Sequence, residues 1–250
     1  MDHPTRVQLA RDIAARLAAA YGERIVVGGV YGSTARGDDT EWSDLDLLVV
    51  TQGAGGPAGR SFLFQGIAVG VSVLDRAELE RTLTSPGPRW PFWMGVLDVL
   101  QPLVGDRAQV RRWVELGQTP EEQIFHAALE AELPGLVFES YGRIRSCAAR
   151  GNLHDAPIAA FEVLAEMQTA LCLLNRRWVT RDYYGGLEQA FGFPLLPDGY
   201  ARLAPQLWAA RELPEIVTTA GALVAGYWRL LATCGLNVPN YQRAEDIPLG

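Results

Sequence analysis

The spacing of apolar and polar positions divides the chain into two textures. Apolar residues recur at three- and four-residue intervals over Val7, Ala10, Ile13, Ala14, Leu17 and Tyr21, with Arg6, Arg11, Asp12 and Arg16 largely off that stripe. This is the pattern of an amphipathic helix, and it ends near Gly22. The period then shortens. Residues 24–31 are short and β-branched and are followed by a Gly/Ser turn, residues 43–50 form a second strand and residues 67–74 a third, so three strands are predicted. Residues 53–59 form a glycine-rich loop or hairpin connection, residues 76–83 return to helical spacing, and residues 96–104 are expected as a fourth, edge-like strand before Gly105.

From about Pro120 the texture becomes alanine- and leucine-rich with helical periodicity. It begins at Thr119-Pro120-Glu121-Glu122, where Thr can cap and Pro occupies the first turn. Helices are expected over 120–150 with a kink at Pro134, and over 155–175, 187–191, 199–211 and 215–234. Strands first and helices afterwards predict an α+β fold, with one domain over 1–117 and a helical domain over 118–250. Trp90, Trp93 and Trp113 surround a proline-rich connection between the two, where aromatic packing is the common explanation.

Composition narrows the function classes. With 250 residues, 48% hydrophobic and 20% charged side chains, the chain can bury one large core or two smaller ones, which excludes disordered and collagen-like classes. Asp and Glu exceed Lys and Arg by 29 to 22, a net charge of −7, so a phosphate backbone finds little to recruit it and a nucleic-acid partner is not expected. A cationic partner is the better electrostatic match, although a metal can bring a small anion into an acidic protein. Cys147, Cys172 and Cys234 are odd in number and form no CxxC, against a disulfide scaffold or a structural zinc site and in favour of a reducing cytoplasm. No stretch reads as a signal peptide or approaches the roughly 20 apolar residues of a membrane span. His3, His126 and His154 show no paired metal-ligand spacing.

The most informative stretch is Gly32-Ser33-Thr34-Ala35-Arg36-Gly37, followed by Ser43-Asp44-Leu45-Asp46. A strand running into Gly-Ser lets backbone N–H groups approach an anion, and a short helix begins there with its positive end at the same place. On the next strand, alternation puts Asp44 and Asp46 on one face while Leu45, Leu47 and Val49 face the core. Two hard oxygen ligands beside a phosphate seat form the half-cage that Mg²⁺ prefers when substrate phosphates and water complete its octahedron. Singly, a Gly-Ser turn and a pair of strand-edge carboxylates are commonplace; jointly, at this spacing, they point to chemistry.

These residues resemble the nucleotidyltransferase superfamily, whose signature is Gly-Ser followed some ten residues later by DxD or DxE. Within it the chain is most similar to the kanamycin nucleotidyltransferases, the aminoglycoside 4′-O-nucleotidyltransferases. The supporting matches run along the chain: Gly29-Val30-Tyr31-Gly32-Ser33 with Arg36, Ser43-Asp44-Leu45-Asp46, Phe125-His126, Phe138-Glu139 with Gly142 and Arg143, Leu196-Pro197-Asp198-Gly199-Tyr200, and the closing segment 243–248. The resemblance implies a polymerase β-like mixed β-sheet domain followed by the helical domain. It also implies transfer of a nucleoside monophosphate from MgATP or GTP to the 4′-hydroxyl of an aminoglycoside such as kanamycin or tobramycin, with release of pyrophosphate. Asp44 and Asp46 would hold Mg²⁺; Gly32, Ser33 and Arg36 would hold the phosphate tail. Glu139 matches the family's general base and Arg143 a helix-borne lysine that reaches the phosphates, and their i, i+4 spacing puts both on one helix face. The same spacing alone also describes an ordinary surface salt bridge. The family is commonly dimeric, which implies a homodimer here.

One departure stands out. Relatives carry a third carboxylate on the strand after the DxD strand, where this chain reads Val69-Gly70-Val71-Ser72-Val73, with Gly70 at the expected place. Asp75, Asp98 and Glu139 are the candidates to replace it. On the drug side, a polycationic ligand requires a cleft lined with carboxylates. Asp38, Asp39 and Glu41, and Glu130 and Glu132 ahead of Glu139, are the candidates, each equally readable as a solvated charge. The 53–59 loop, which in relatives helps to bind the drug, lacks acidic residues here. Two alternatives stay open: a nucleotidyltransferase of the same fold with another acceptor, such as a different antibiotic hydroxyl or a protein, and a nucleotide-binding regulatory module that has lost catalysis.

Overall fold

The structure is a computed structural model that describes residues 1–53, 55–133 and 135–248. It divides into two compact units, one of Met1–Glu121 together with Trp178–Arg181, the other of Glu122–Arg177 and Asp182–Gly250.

In chain order the first unit comprises α1 (His3–Tyr21), β1 (Ile25–Tyr31), α2 (Gly32–Arg36), β2 (Leu45–Thr51), β3 (Arg60–Phe64), β4 (Ile67–Asp75), α3 (Arg76–Thr84), α4 (Trp90–Val99), β5 (Gln101–Gly105) and α5 (Arg107–Gly117). Asp2 caps α1 by accepting the Thr5 N–H at 2.9 Å. The sheet has the order β3-β4-β2-β1-β5. β2 and β4 run parallel and the other neighbours antiparallel, the mixed sheet that the resemblance implies. Ala10 of α1 packs with Val30, Leu45, Leu47, Val49 and Val69 in one core cluster. Leu48 and Val50, pointing to the other face of β2, are fully buried as well. β2 is therefore covered on both faces, which is why it reads as an almost unbroken apolar run.

Three local readings are corrected. The strand expected over 96–104 is β5 alone; residues 96–99 belong to α4, whose Trp90, Trp93, Met94 and Leu97 are buried at helical spacing behind a proline in the first turn. Trp90, Trp93 and Trp113 accordingly lie in helices of the first unit rather than around a connection between domains. β3 adds a strand that the spacing does not announce, because its residues are largely exposed and show no inside-outside alternation. Its pairing is set by the turn at Gln65 and Gly66, both at positive φ (49° and 84°), the geometry that matches strand twist in a two-residue hairpin.

The second unit is helical: α6 (Glu122–Glu132), α7 (Phe138–Arg150), α8 (Ala156–Asn175), α9 (Tyr183–Ala190), α10 (Tyr200–Ala209) and α11 (Leu213–Thr233). α8 is its central rod, contacting each of the other five. The single kinked helix expected over 120–150 is two helices, α6 and α7; Pro134, the expected kink, lies outside the described residues. α8 and α11 are long and apolar enough to match a membrane span by length and composition, contrary to the sequence reading. Val163, Leu164, Met167 and Leu171 of α8 and Leu223 and Tyr227 of α11 are buried in the unit's core, which accounts for that apolarity.

Candidate active site

β1 runs directly into α2, and Gly32 is the junction. Its φ of +68° is a backbone that L side chains rarely adopt, and a Cβ built there would lie 3.0 Å from Asp46 Oδ2. Ser33 follows, half-buried, over the buried Thr34 and Ala35. Gly37, at φ +75°, closes the turn, and the N–H groups of Gly37 and Asp38 both donate to the Ser33 carbonyl, at 2.9 and 3.2 Å. The Gln101 side chain donates to the Ala35 carbonyl and ties α2 to β5. The first N–H groups of α2 have no acceptor within the helix, as at any helix start.

Asp46 sits across from this turn. It pairs with Tyr31 on β1 and with Gly70 on β4, and it lies on the sheet face opposite Leu45, Leu47 and Val49. A Cβ on Gly70 would lie 3.3 Å from Asp46 Oδ1. Each carboxylate oxygen of Asp46 thus faces a glycine, Oδ2 toward Gly32 and Oδ1 toward Gly70. Asp44 precedes β2 and is exposed. Two carboxylates, the inner one flanked by glycines, suit a hard divalent cation that draws its remaining ligands from phosphate and water.

Gly70, where the resemblance puts a third carboxylate, pairs directly with Asp46 in the β2–β4 register. Asp75 lies five residues further along β4, about 16 Å at about 3.3 Å per residue, and there it caps α3 by accepting the Ala77 N–H at 2.8 Å. Asp98 is on α4, not on a strand, and is exposed. Among the described residues no group of three or more His, Cys, Asp or Glu is arranged to hold a metal.

Arg36, at the end of α2, is held rather than free. Its Nε lies 3.2–3.3 Å from the Asp38 carboxylate and its Nη1 donates to the Thr180 carbonyl at 2.6 Å. Asp38 is also bonded by Arg181 Nη2 at 2.6 Å, a residue with no sequence signal of its own. Asp39, a candidate for the drug cleft, has a different place. Its side chain is almost fully buried against the buried guanidinium of Arg6 and pairs with His3 Nδ1 at 2.6 Å. Arg6 also donates to the carbonyls of Met1 and Thr40, at 3.1 and 2.8 Å. The loop before β2 is therefore pinned to α1, and Arg6, which the helical stripe places at the surface, is a core residue. The Glu41 carbonyl takes the amino terminus at 2.9 Å.

In the second unit, Glu139 stands in the first turn of α7 and is exposed. Arg143, one turn on, bonds Glu139 Oε1 at 2.6 Å and Glu162 Oε2 of α8 at 2.6 Å. Glu162 first and Glu139 second raise the pKa of that guanidinium. Glu162 belongs to no motif; only its place one turn before Glu166 on the same helix hints at a carboxylate face. Glu166 accepts the Val137 N–H at 2.8 Å and the hydroxyl of the buried Ser140. Val137 caps α7 at φ +75°, ψ −44°, an outlier for a buried β-branched residue and a strain of about 1–3 kcal/mol. Glu166 holds that strained turn and so fixes the start of the helix that carries Glu139. Glu130 and Glu132 lie on α6, not on Glu139's helix, and Glu130 Oε1 accepts the Asn237 N–H at 3.2 Å.

Comparison with known proteins bears on both units. A family model described as the KNTase C-terminal domain matches residues 110–237, just over half of the chain, and one described as a nucleotidyltransferase domain matches residues 13–80. The chain is similar to an aminoglycoside nucleotidyltransferase (4′) of Staphylococcus aureus, at 23% identity over 203 residues, 81% of this chain and 80% of that protein. A protein of the same description from Bacillus sp. matches with the same identity and coverage. Among solved structures, a nucleotidyltransferase-like protein from Exiguobacterium sibiricum aligns with a TM-score of 0.49 at 17% identity, covering 91% of this chain and 75% of that one.

Proposed function

The chain belongs to the kanamycin nucleotidyltransferase family, and from that premise we propose that it transfers a nucleoside monophosphate from MgATP or MgGTP to the 4′-hydroxyl of an aminoglycoside such as kanamycin or tobramycin. Pyrophosphate is the second product. The observation that supports the reading is the packing of Asp46 between Gly32 and Gly70, the carboxylate proposed for the metal beside the turn proposed for the phosphates.

In this reading Asp44 and Asp46 hold Mg²⁺, and Gly32, Ser33 and Arg36 hold the triphosphate. Mg²⁺ held there would neutralise phosphate charge. Glu139 takes the proton from the sugar hydroxyl as its oxygen bonds to the α-phosphorus and the bond to the bridging oxygen of pyrophosphate breaks. Arg143, held between Glu139 and Glu162 when no substrate is bound, turns to the phosphates. Such transfer depends on positioning and charge neutralisation, and these side chains supply both. The enzyme acts as a cytoplasmic homodimer with domains over 1–117 and 118–250, the strap Trp178–Arg181 grouping with the first unit. Whether Glu139 serves its own chain or a partner's is read by mixing Asp44→Asn and Glu139→Gln proteins: restored activity means a shared site.

The glycine at position 70 supports a second reading, a nucleotide-binding module without turnover, since a carboxylate is absent beside Asp46. Pyrophosphate release separates the readings. Release from MgATP with kanamycin, and none with an aminoglycoside lacking the 4′-hydroxyl, supports the first; release with both indicates another hydroxyl. Release with neither indicates another acceptor or the binding module. Glu139→Gln should lower turnover with little loss of drug affinity.

A further inference from the structure

A short strap of chain, Trp178–Arg181, leaves the helical sequence after α8 and joins the first unit. Three successive residues anchor it. Trp178 forms a T-shaped pair with the buried Trp90, ring centroids 5.9 Å apart. The Val179 carbonyl lies so close to Gly95 that a Cβ there would collide with it. The Thr180 carbonyl takes Arg36 Nη1 at 2.6 Å. These contacts place Arg181 where its guanidinium, about half exposed, reaches Asp38 at 2.6 Å.

Asp38 is thereby shared between two guanidiniums, Arg36 and Arg181. The neighbouring carboxylate, Asp39, is buried against Arg6. One turn of α2 from Ser33, two guanidiniums thus meet at one carboxylate. Two planar five-donor forks side by side suit the oxygens of adjacent phosphates better than a lone carboxylate.

We propose that Arg181 is a second triphosphate-binding residue. With Arg36 it grips the β- and γ-phosphates of the nucleotide, and Asp38 holds the two guanidiniums in place until the nucleotide arrives. As the acceptor oxygen bonds to the α-phosphorus and the α–β bridging bond breaks, the electron pair of that bond goes to the departing pyrophosphate, and the two guanidiniums meet the charge that develops there. The strap is what brings Arg181 to the turn. This inference rests on the nucleotidyltransferase reading and goes beyond it by adding a residue that the Gly-Ser and DxD pattern does not contain.

The test is calorimetric titration of wild type, Arg181→Met and Asp38→Asn with three probes in Mg²⁺: a methylene-bridged ATP analogue, inorganic pyrophosphate, and AMP. Loss of one charge-assisted contact should weaken the analogue and pyrophosphate by about 10-fold or more in Arg181→Met while leaving AMP unchanged. Asp38→Asn should bind pyrophosphate at least as well as wild type, because it removes the competing anion. If Arg181→Met binds pyrophosphate like a wild type that itself binds the analogue, the role of Arg181 is refuted and the nucleotidyltransferase reading stands. If Asp38→Asn weakens binding as much as Arg181→Met, Arg181 only braces the loop and the proposal falls. If wild type does not bind the analogue, the functional reading fails and takes the proposal with it.

Discussion

Gly32→Ala isolates the contact on which the site depends. Two penalties act at this position, a backbone at φ +68° and a Cβ 3.0 Å from Asp46 Oδ2. Gly66 supplies the control: it has φ +84° and nothing within 4 Å of the place a Cβ would take, so Gly66→Ala carries the backbone penalty alone. A left-handed conformation costs an L residue about 1–2 kcal/mol. That corresponds to a fall of about 2–8 °C in thermal midpoint for a chain of this length, and both variants should show it. Only Gly32→Ala must also move the Asp46 carboxylate by a few tenths of an ångström. Since a misplacement of about 1 Å costs about 100-fold in rate, its turnover should fall by roughly 10-fold beyond that of Gly66→Ala. Thermal melts and pyrophosphate release at saturating MgATP read the two effects separately. Equal turnover in the two variants would refute the claim that the Gly32–Asp46 contact sets the catalytic geometry.

Asp39→Ala leaves the buried Arg6 guanidinium without its carboxylate and should destabilise the first unit by about 3–5 kcal/mol in urea unfolding. Glu166→Ala removes two charge-assisted hydrogen bonds of about 1.5 kcal/mol each. It should cost about 3 kcal/mol and, through the start of α7, lower turnover more than nucleotide affinity. Burial opposes ionisation of Glu80, but the Arg76 and Trp113 hydrogen bonds together outweigh it and lower its pKa in the folded protein. Its contribution to stability is therefore complete above the ordinary glutamate value of 4.5 and is lost as pH falls through the lower folded value. Glu80→Gln should flatten the acid limb of a stability-pH curve below pH 4.5, and an unchanged limb would count against the assignment.

The strands and helices whose apolar residues meet one core are legible from their period. α1, β1, β2 and β4 stand where the spacing puts them: α1 and β4 alternate buried with exposed positions, and β1 and β2 are short apolar runs bounded by glycine or polar residues. The elements that depart from the sequence reading lack that simple signal. Residues 96–99 resemble strand because three of the four are apolar and two are β-branched, and only the spacing from Trp90 onward reveals the helix. β3 is an exposed edge held by a turn. At the candidate site, Gly32, Ser33, Asp44 and Asp46 form a local motif that can be read in sequence. Arg181 and the Asp39–Arg6 pair join residues distant along the chain through side chains, and no periodicity encodes such a meeting. The same is true of Glu166 beneath Val137, whose strain exists only in the folded backbone.

The central claim is that this acidic protein joins a nucleotide to the 4′-oxygen of an aminoglycoside. Incubation with MgATP and kanamycin, followed by mass and NMR analysis of the drug, tests it most directly. The predicted result is one product heavier by a single nucleoside monophosphate, with the phosphorus coupled to the proton on carbon 4′ and no product from Asp46→Asn. Unmodified drug, or linkage at any other hydroxyl, would contradict it.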